Sequence, residues 1–164
     1  PLDFIGLNSY FRMVMSPSFN PLLRFKPVDA NYPDIEKTSM GWEVYPEGLY
    51  DLLKWLSDYC PTVPIFITEN GAAYDDVLHE GKVADPQRVS YIKRHLFQVK
   101  RAMNDGVDVR GYFVWSLLDN FELAYGLSRR FGIIYVDYPS QQRILKDSAQ
   151  FYGKVCKEKG FLFE

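Results

Sequence analysis

The sequence predicts an α/β fold in which parallel β-strands alternate with α-helices. Three runs of apolar and β-branched residues, at 2–10, 64–69 and 109–117, have the composition of strands that are buried on both faces. A segment with helical spacing of its apolar residues follows each run. Because strand–helix repeats form parallel sheets, both an open doubly wound sheet and a closed barrel fit this order, although three strands are too few to close a barrel.

The composition argues against two kinds of partner. The chain has 164 residues, of which 47% are hydrophobic, enough for a packed core, and 16% are aromatic. Its 19 basic and 21 acidic residues give a net charge of −2 without any basic block, so nucleic acid is not an expected partner. No apolar run approaches the ~20 residues that a membrane-spanning helix requires, so no membrane contact is expected either.

The first predicted strand leads into a long loop. Residues 11–48 contain five prolines and scattered aromatic residues, and we predict that they are irregular. Loops of this length inside a compact fold are usually functional. A helix is predicted over residues 47–59, because Pro46 suits its start, its leucines keep helical spacing and Pro61 stops it.

The second strand is predicted to end at Glu69, in a turn formed by the following Asn-Gly pair. A polar loop then leads to the next helix. Its start is marked by Asp85, an N-cap acceptor, and by Pro86 in the first helical position. Apolar residues recur at spacings of three and four up to Met103, so this helix is predicted to pack its stripe against the core.

The third strand is followed by a polar and aromatic loop, residues 118–132, and by a short apolar run at 133–137 that is predicted as an extra strand. Ser148 is predicted to cap the last helix, which would end near Gly160. Polar and aromatic residues thus cluster directly after the strands. In a closed barrel, that end of the strands carries the catalytic groups.

The cysteines and histidines show no metal-ligand pattern. Cys60 and Cys156 lie in apolar helical patterns, so we predict buried free thiols rather than a disulfide, which favours a reducing, cytoplasmic compartment. His79 and His95 have no ligand spacing to them. No Gly-rich phosphate loop follows any strand, which argues against a dinucleotide. We therefore expect no metal and no cofactor.

Three places combine side chains suited to binding or catalysis. Glu69 ends a buried strand, where a carboxylate requires partners, so it is either an ion-paired strand end or a catalytic group. Trp115 ends the next strand, where an indole packs in a core or stacks on the apolar face of a ligand. The loop from Asp119 to Glu122 places hydrogen-bonding side chains beside aromatic ones, as in a capped surface turn or a ligand-binding loop.

The order Ile67-Thr68-Glu69-Asn70-Gly71 resembles the nucleophile motif of glycoside hydrolase family 1, the β-glucosidase family. The similarity extends over nearly the whole chain, and its parts follow one another in family order. The other stretches that carry it are residues 2–10, 40–43, 46–49, 110–122, 129–133 and 136–138.

This resemblance implies a TIM (β/α)8 barrel, of which residues 1–164 would supply the C-terminal portion, roughly strands 6 to 8 and their helices. It also implies a retaining β-glycosidase that hydrolyses terminal β-linked glucosyl or related residues by double displacement. Glu69 would be the nucleophile that forms the glycosyl-enzyme intermediate, and Tyr10 would donate a hydrogen bond to it. The chemistry requires a second carboxyl group about 5–5.5 Å away, acting as acid and then as base.

The same resemblance implies a set of residues around a β-glycoside or oligosaccharide substrate. Trp115 would stack under the sugar in the cleaved subsite, and Glu122 would accept hydrogen bonds from sugar hydroxyls. Asn8 would lie at the edge of the pocket, and Trp42 would flank the leaving-group site. Phe131 matches another pocket aromatic, with core packing as the alternative.

The chain departs from the family pattern in two ways. The family's acid/base glutamate lies in an Asn-Glu-Pro motif that does not occur here, so we expect it on an N-terminal barrel part, either a separate chain or a missing segment. Alone, this chain is expected to be inactive and, with an open sheet edge, to aggregate. Leu123 stands where the family usually has a tryptophan that donates to a sugar hydroxyl, which leaves the sugar specificity open. Arg129 and Arg130 are predicted as a surface basic pair rather than a phosphate site.

Two other functions stay open at this level. A catalytically silent sugar-binding or signalling relative of the family would keep the barrel and lack a carboxylate, although the retained Glu69, Tyr10, Trp115 and Glu122 argue against it. A half-barrel that associates with itself as a structural unit is the second alternative.

Overall fold

The computed structural model describes residues 2–28 and 34–160, which fold around a small parallel sheet. In chain order, the elements are β1 (Ile5–Asn8), β2 (Met15–Pro17), β3 (Phe25–Pro27), α1 (Glu47–Tyr59), β4 (Ile65–Asn70), α2 (Pro86–Asn104), β5 (Val109–Val114), β6 (Ile134–Asp137), β7 (Gln142–Leu145) and α3 (Asp147–Glu158). The predicted alternation of strands and helices is confirmed. The third strand ends three residues earlier than predicted, so that Trp115 follows it.

Strands β1, β4 and β5 form one parallel sheet in that spatial order. Ile5 pairs with Ile65, and Ile65 pairs with Val109, so the three strands begin level with one another. Their carboxyl ends consequently meet at one edge of the sheet, where Asn8 lies opposite Glu69. Within the described part of the chain, β1 and β5 each pair on one side only, and the sheet is open at both sides.

Helix α2 connects two apolar cores. Its C-terminal half packs on α1 and the sheet through Val99 and Ala102, whereas its N-terminal half packs under the loops and α3 through Tyr91 and Ile92. The predicted stripe is therefore confirmed at its centre, while Met103 at its end is exposed. None of the described helices is long and apolar enough to cross a bilayer.

Two antiparallel hairpins lie outside the main sheet, and the sequence predicted neither completely. Strands β2 and β3 pair within the segment that was predicted to be irregular. The ladder continues through the amides of Ser18 and Val28, the residues directly after Pro17 and Pro27, so neither proline has to donate. Strand β6 matches the predicted extra strand, but its partner β7 is half polar and was not predicted as a strand.

Asp85 caps a different helix from the one expected. It lies at the N-cap of α2, as predicted, but its side chain makes no capping bond to that helix. Its carboxylate instead accepts the backbone amide of Ser148 at 2.8 Å and the Ser148 hydroxyl at 2.5 Å. Helix α3 begins at Asp147, so the prediction that Ser148 is its cap is wrong: Ser148 lies in the first turn and is capped from the start of α2.

The two cysteines are free thiols, as predicted, but they are not buried. Cys60 is half-buried directly after α1, and Cys156 is exposed in an open groove between α2, β5 and α3.

A buried network of ion pairs connects the loops at the carboxyl edge of the sheet. Asp119, in the loop after β5, accepts from Lys146 Nζ at 2.8 Å and from Arg130 at 2.6 Å. It also accepts the backbone amide of Gly132 at 3.0 Å and so holds the far end of its own loop. The prediction of a surface basic pair is therefore wrong for Arg130, whose side chain is only 17% exposed and is neutralised by Asp119.

Arg88 extends this network to the loop after β4. It donates to the two oxygens of Asp76 at 2.8 and 2.9 Å and pairs with Asp85 as well. Lys146 bridges the two halves, since its ammonium group also donates to Asp76, at 2.5 Å. Burial lowers the pKa of Lys146, and the charges of Asp76 and Asp119 oppose that shift. Cations and carboxylates alternate throughout, which compensates for their removal from water.

Removing one carboxylate from the network should destabilise the fold strongly. Asp119→Asn should lower the free energy of unfolding by about 3–5 kcal/mol, because Lys146 and Arg130 lose a buried counter-charge. Urea denaturation measures this change. Asp108→Asn is the matched control: Asp108 and its partner Arg110 are 53% and 59% exposed, so the substitution should have little effect. Equal effects of the two substitutions would contradict a stabilising role of the network.

Stability should also depend on the buried His95. This residue of α2 is 2% exposed, its Nδ1 donates to the Tyr91 carbonyl at 2.8 Å, and burial lowers its pKa to about 4. Because an unfolded histidine titrates near pH 6.5, the unfolded chain binds the extra proton first, and stability is lost as the pH falls from 6.5 towards 4. We expect a loss of about 2–3 kcal/mol from this group between pH 7 and 4.5.

Urea denaturation at the two pH values tests this expectation. His95→Gln should remove that share of the pH dependence, whereas the same substitution at the exposed His79 should leave it unchanged. An unaltered pH dependence in His95→Gln would show that this histidine is not responsible.

Candidate active site

Glu69 lies at the carboxyl edge of the central sheet, one residue before the end of β4. Its carbonyl accepts the backbone amide of Ser9 at 2.9 Å, so the chain after β1 is hydrogen-bonded to it. The side chain is half-buried. This position gives the carboxylate a fixed backbone while leaving it accessible at the edge of the sheet.

Tyr10 is the partner of this carboxylate. Its hydroxyl donates to Glu69 Oε2 at 2.5 Å. Burial raises the pKa of Tyr10 well above its usual value, and the hydrogen bond to Glu69 raises it further. Tyr10 therefore stays neutral and acts as a permanent donor, which fixes the orientation of the Glu69 carboxylate without removing its charge.

Aromatic side chains form a wall beside this pair. Tyr10 meets the rings of Trp42 and Phe131 edge-on, with centroids 5.6 and 6.1 Å away, and those two rings lie 5.9 Å from each other. Phe11, which the sequence did not single out, stacks on Trp42 at 4.7 Å. The structure thus brings Trp42 and Phe131 to the Tyr10–Glu69 pair, with Phe131 at the back of the wall, only 2% exposed.

Asn8 and Trp115 lie on either side of β4. Asn8 is exposed, and its Oδ1 accepts the Thr68 hydroxyl at 2.7 Å. The amide of Trp115 donates to the Asn70 carbonyl at 3.0 Å, which places the half-buried tryptophan directly beside the end of β4. A Cβ at Gly71 would lie 1.8 Å from the Trp115 carbonyl oxygen, so only glycine permits this approach.

Glu122 is positioned by a tight loop. Its amide donates to the Gly126 carbonyl at 2.8 Å, and the Gly126 amide donates back to the Glu122 carbonyl at 2.7 Å. Its Oε1 is buried, with no hydrogen-bond partner among the residues that the structure describes, and its charge contributes to the raised pKa of Tyr10. A buried carboxylate oxygen of this kind is costly unless a ligand or water donates to it, so Glu122 is suited to accept hydroxyl donors.

Asn70 was predicted only as a turn residue, yet it connects the site to the core. It is fully buried, and its side-chain amide donates to the Ser9 carbonyl at 2.7 Å and to the Tyr91 hydroxyl at 3.2 Å. The Tyr112 hydroxyl donates to its Oδ1 at 2.6 Å. Motif spacing cannot find these tyrosines, because they lie 21 and 42 residues further along the chain.

Among residues 2–28 and 34–160, no group of three His, Cys, Asp or Glu side chains is arranged to hold a metal ion.

Comparison with known proteins identifies the family. Residues 1–161 match the sequence profile of glycosyl hydrolase family 1. The chain is 51% identical over 160 residues to the 1,4-β-D-glucan glucohydrolase of Thermotoga neapolitana, covering 97% of this chain and 35% of that protein. It is 49% identical over 160 residues to β-glucosidase A of Thermotoga maritima, again covering 97% of this chain and 35% of that protein.

A solved structure of a family 1 β-glucosidase from T. maritima superposes with a TM-score of 0.93 at 46% identity, over 99% of this chain and 36% of that one. The chain therefore spans about a third of the length of the curated relatives that it matches, and its sheet and helices correspond to part of a TIM barrel. The resemblance predicted from the nucleophile motif is confirmed: the chain belongs to glycosyl hydrolase family 1.

Proposed function

We propose that this chain is the nucleophile-bearing, C-terminal portion of a retaining β-glycosidase that releases terminal β-linked glucosyl or related residues. The observation that carries the proposal is the 2.5 Å hydrogen bond from Tyr10 to Glu69 at the carboxyl edge of a parallel sheet. That edge is where the catalytic groups of (β/α)8 barrels lie. Membership in a family whose matched members include β-glucosidases supports the same reaction.

In this proposal, β1, β4 and β5 are strands 6 to 8 of the barrel, and an N-terminal part supplies the others. Two features support it. The sheet is open beside β1 and beside β5 in the described chain, and large apolar side chains next to those strands, such as Phe4 and Phe113, are exposed. Without the part that carries the second carboxyl group, the chain has no acid/base residue to work with Glu69 and is expected to be inactive.

The reaction begins with attack by Glu69 on the anomeric carbon of the bound sugar. The bond to the leaving-group oxygen breaks, that oxygen takes a proton from the second carboxyl group, and a glycosyl ester forms on Glu69. The second carboxylate then removes a proton from water, which releases the sugar with its original configuration. The acid/base glutamate belongs to the N-terminal part, since no Asn-Glu-Pro motif occurs in this chain. Tyr10 holds the attacking carboxylate throughout.

The surrounding side chains are assigned to the sugar. Trp115 provides an apolar platform for the ring, and the unpartnered Oε1 of Glu122 accepts from sugar hydroxyls. Asn8 borders the pocket. Trp42 and Phe131 form the aromatic wall on the side of Tyr10, with Trp42 towards the leaving group.

The charges of the described loops favour a neutral sugar over a phosphorylated one. Arg130 and Lys146 lie near the site loop, but both are already paired with Asp119, and burial of Lys146 excludes it from solvent. Arg129 faces Asp75 at 3.9 Å and the ring of Tyr125 at 5.2 Å. These cations are thus committed to partners within the fold.

Labelling of the nucleophile tests the proposed reaction. A 2-deoxy-2-fluoro-β-glucoside with a good leaving group should add one fluorosugar to the full-length enzyme that carries this chain, on the peptide that contains Glu69, as seen by mass spectrometry. Glu69→Gln should abolish the labelling, because an amide cannot form the ester. Glu80→Gln, at an exposed glutamate, should leave it unchanged. A label on another carboxylate would overturn the proposal, and sugar binding without any label would support the silent relative instead.

Restoring the family's tryptophan should tighten sugar binding. Leu123 is 96% exposed and cannot donate a hydrogen bond. Leu123→Trp should lower KM for a β-glucoside by about two- to tenfold, the equivalent of one hydrogen bond of about 0.5–1.5 kcal/mol. Leu127→Trp, at another exposed leucine of the same loop, is the control and should have no effect. A KM that stays constant in both variants would show that position 123 does not face the sugar.

A further inference from the structure

We propose that Tyr91 is a positioning residue for the nucleophile: its hydroxyl fixes the backbone of Tyr10 and thereby sets the hydrogen bond from Tyr10 to Glu69. The inference rests on the proposed role of Glu69. Tyr91 lies on α2, in the second core, and touches neither Glu69 nor the aromatic wall through any described hydrogen bond or ring contact.

In each hydrogen bond around Tyr91, the donor and the acceptor are fixed. Its hydroxyl donates to the Tyr10 carbonyl at 2.9 Å and accepts from the Asn70 side-chain amide at 3.2 Å. The second proton of that amide goes to the Ser9 carbonyl at 2.7 Å. Because a backbone carbonyl can only accept, the two carbonyls fix the orientation of the Asn70 amide and the direction of the Tyr91 hydroxyl.

This arrangement holds the Tyr10–Glu69 pair from both sides. Asn70 is the residue directly after Glu69, and the Tyr112 hydroxyl fixes its remaining polar atom, Oδ1, at 2.6 Å. On the other side, Tyr91 holds the carbonyl of the residue that donates to Glu69. A single buried tyrosine therefore joins the backbone of the donor to the strand that carries the acceptor.

Tyr91 itself has little freedom to move. It is fully buried, its ring stacks on His95 with centroids 3.9 Å apart, and it packs in the second core. Burial also raises the pKa of its hydroxyl well above the usual value, so it remains a donor at every working pH. The Tyr10 ring, by contrast, is held laterally by edge contacts with Trp42 and Phe131.

Loss of the Tyr91 hydroxyl would leave the Tyr10 carbonyl without this donor inside the protein, and the segment would shift to recover one. The Tyr10 hydroxyl moves with its backbone, so its bond to Glu69 weakens. A weaker donor leaves the Glu69 carboxylate less well oriented towards the anomeric carbon, so the first chemical step should slow.

The test is a double-mutant cycle in the full-length enzyme, with two readouts: kcat/KM for 4-nitrophenyl β-glucoside and the first-order rate constant of fluorosugar labelling. We expect Tyr91→Phe to lower both by about tenfold. Tyr10→Phe should lower both more strongly. The labelling rate constant does not depend on how much of the enzyme is folded, so a variant that is only less stable would leave it unchanged. The double variant should be no slower than Tyr10→Phe alone, because Tyr91 acts only through Tyr10.

Tyr50→Phe is the matched control. The Tyr50 hydroxyl donates to Asp105 at 2.6 Å, beyond the far end of α2 from Tyr91, and makes no described hydrogen bond to Tyr10, Asn70 or Tyr112. Its removal should leave the labelling rate constant in place. Losses that add in the double variant, or a labelling rate constant that does not fall in Tyr91→Phe, would overturn the inference.

A second variant covers the case in which Tyr91→Phe does not fold, as judged by thermal unfolding. Tyr112→Phe removes the donor to Asn70 Oδ1, one hydrogen bond further from Tyr10, and should lower the labelling rate constant by a smaller factor. An unaltered rate constant would then overturn the inference. Fluorosugar labelling of the parent enzyme separates the two proposals. Absence of label at Glu69 defeats the proposed function. A label at Glu69, together with Tyr91 variants whose kinetics equal those of the parent enzyme, defeats only the positioning role.

Discussion

Pairing of buried opposite charges is the interaction on which the loops of this protein depend. Lys146 lies between Asp76 and Asp119, and these carboxylates also bind Arg88 and Arg130. Each group would be costly to bury alone, and together they compensate one another. The network links the loop after β4, the start of α2, the loop after β5 and the segment before α3. The loop that carries Glu122 and Phe131 is therefore anchored to the same scaffold as the strand that carries Glu69.

The hydrogen bonds around Asn70, next to Glu69, are made by neutral groups. Asn70 and the tyrosines around it connect the ends of β1 and β4, β5 and α2, and their hydroxyls and amide carry no net charge. Around Asn70 the described hydrogen bonds are therefore neutral, whereas the charged groups of the network pair with one another. The described side-chain partner of the Glu69 carboxylate is likewise a neutral group, the Tyr10 hydroxyl.

The sequence predicted the parts of the structure that follow from local pattern. Apolar runs and helical spacing located the strands and helices, and the motif around Glu69 located the family. The features that the sequence did not predict depend on contacts between residues far apart in the chain. Lys146 and Asp76 are 70 residues apart, and Asp85 caps a helix through Ser148, 63 residues further on. Proline content also concealed the β2–β3 hairpin, because the ladder uses the residues after Pro17 and Pro27. Such partners have no fixed spacing that a single sequence could reveal.

The close approach at Gly71 has a genetic consequence. The obstacle there is a neighbouring carbonyl rather than an unusual backbone angle, since a Cβ would fall 1.8 Å from the oxygen of Trp115. Every missense change of a glycine codon introduces that carbon, whichever amino acid results. No conservative replacement exists at this codon, so each such allele must push apart the chain segments that carry Glu69 and Trp115.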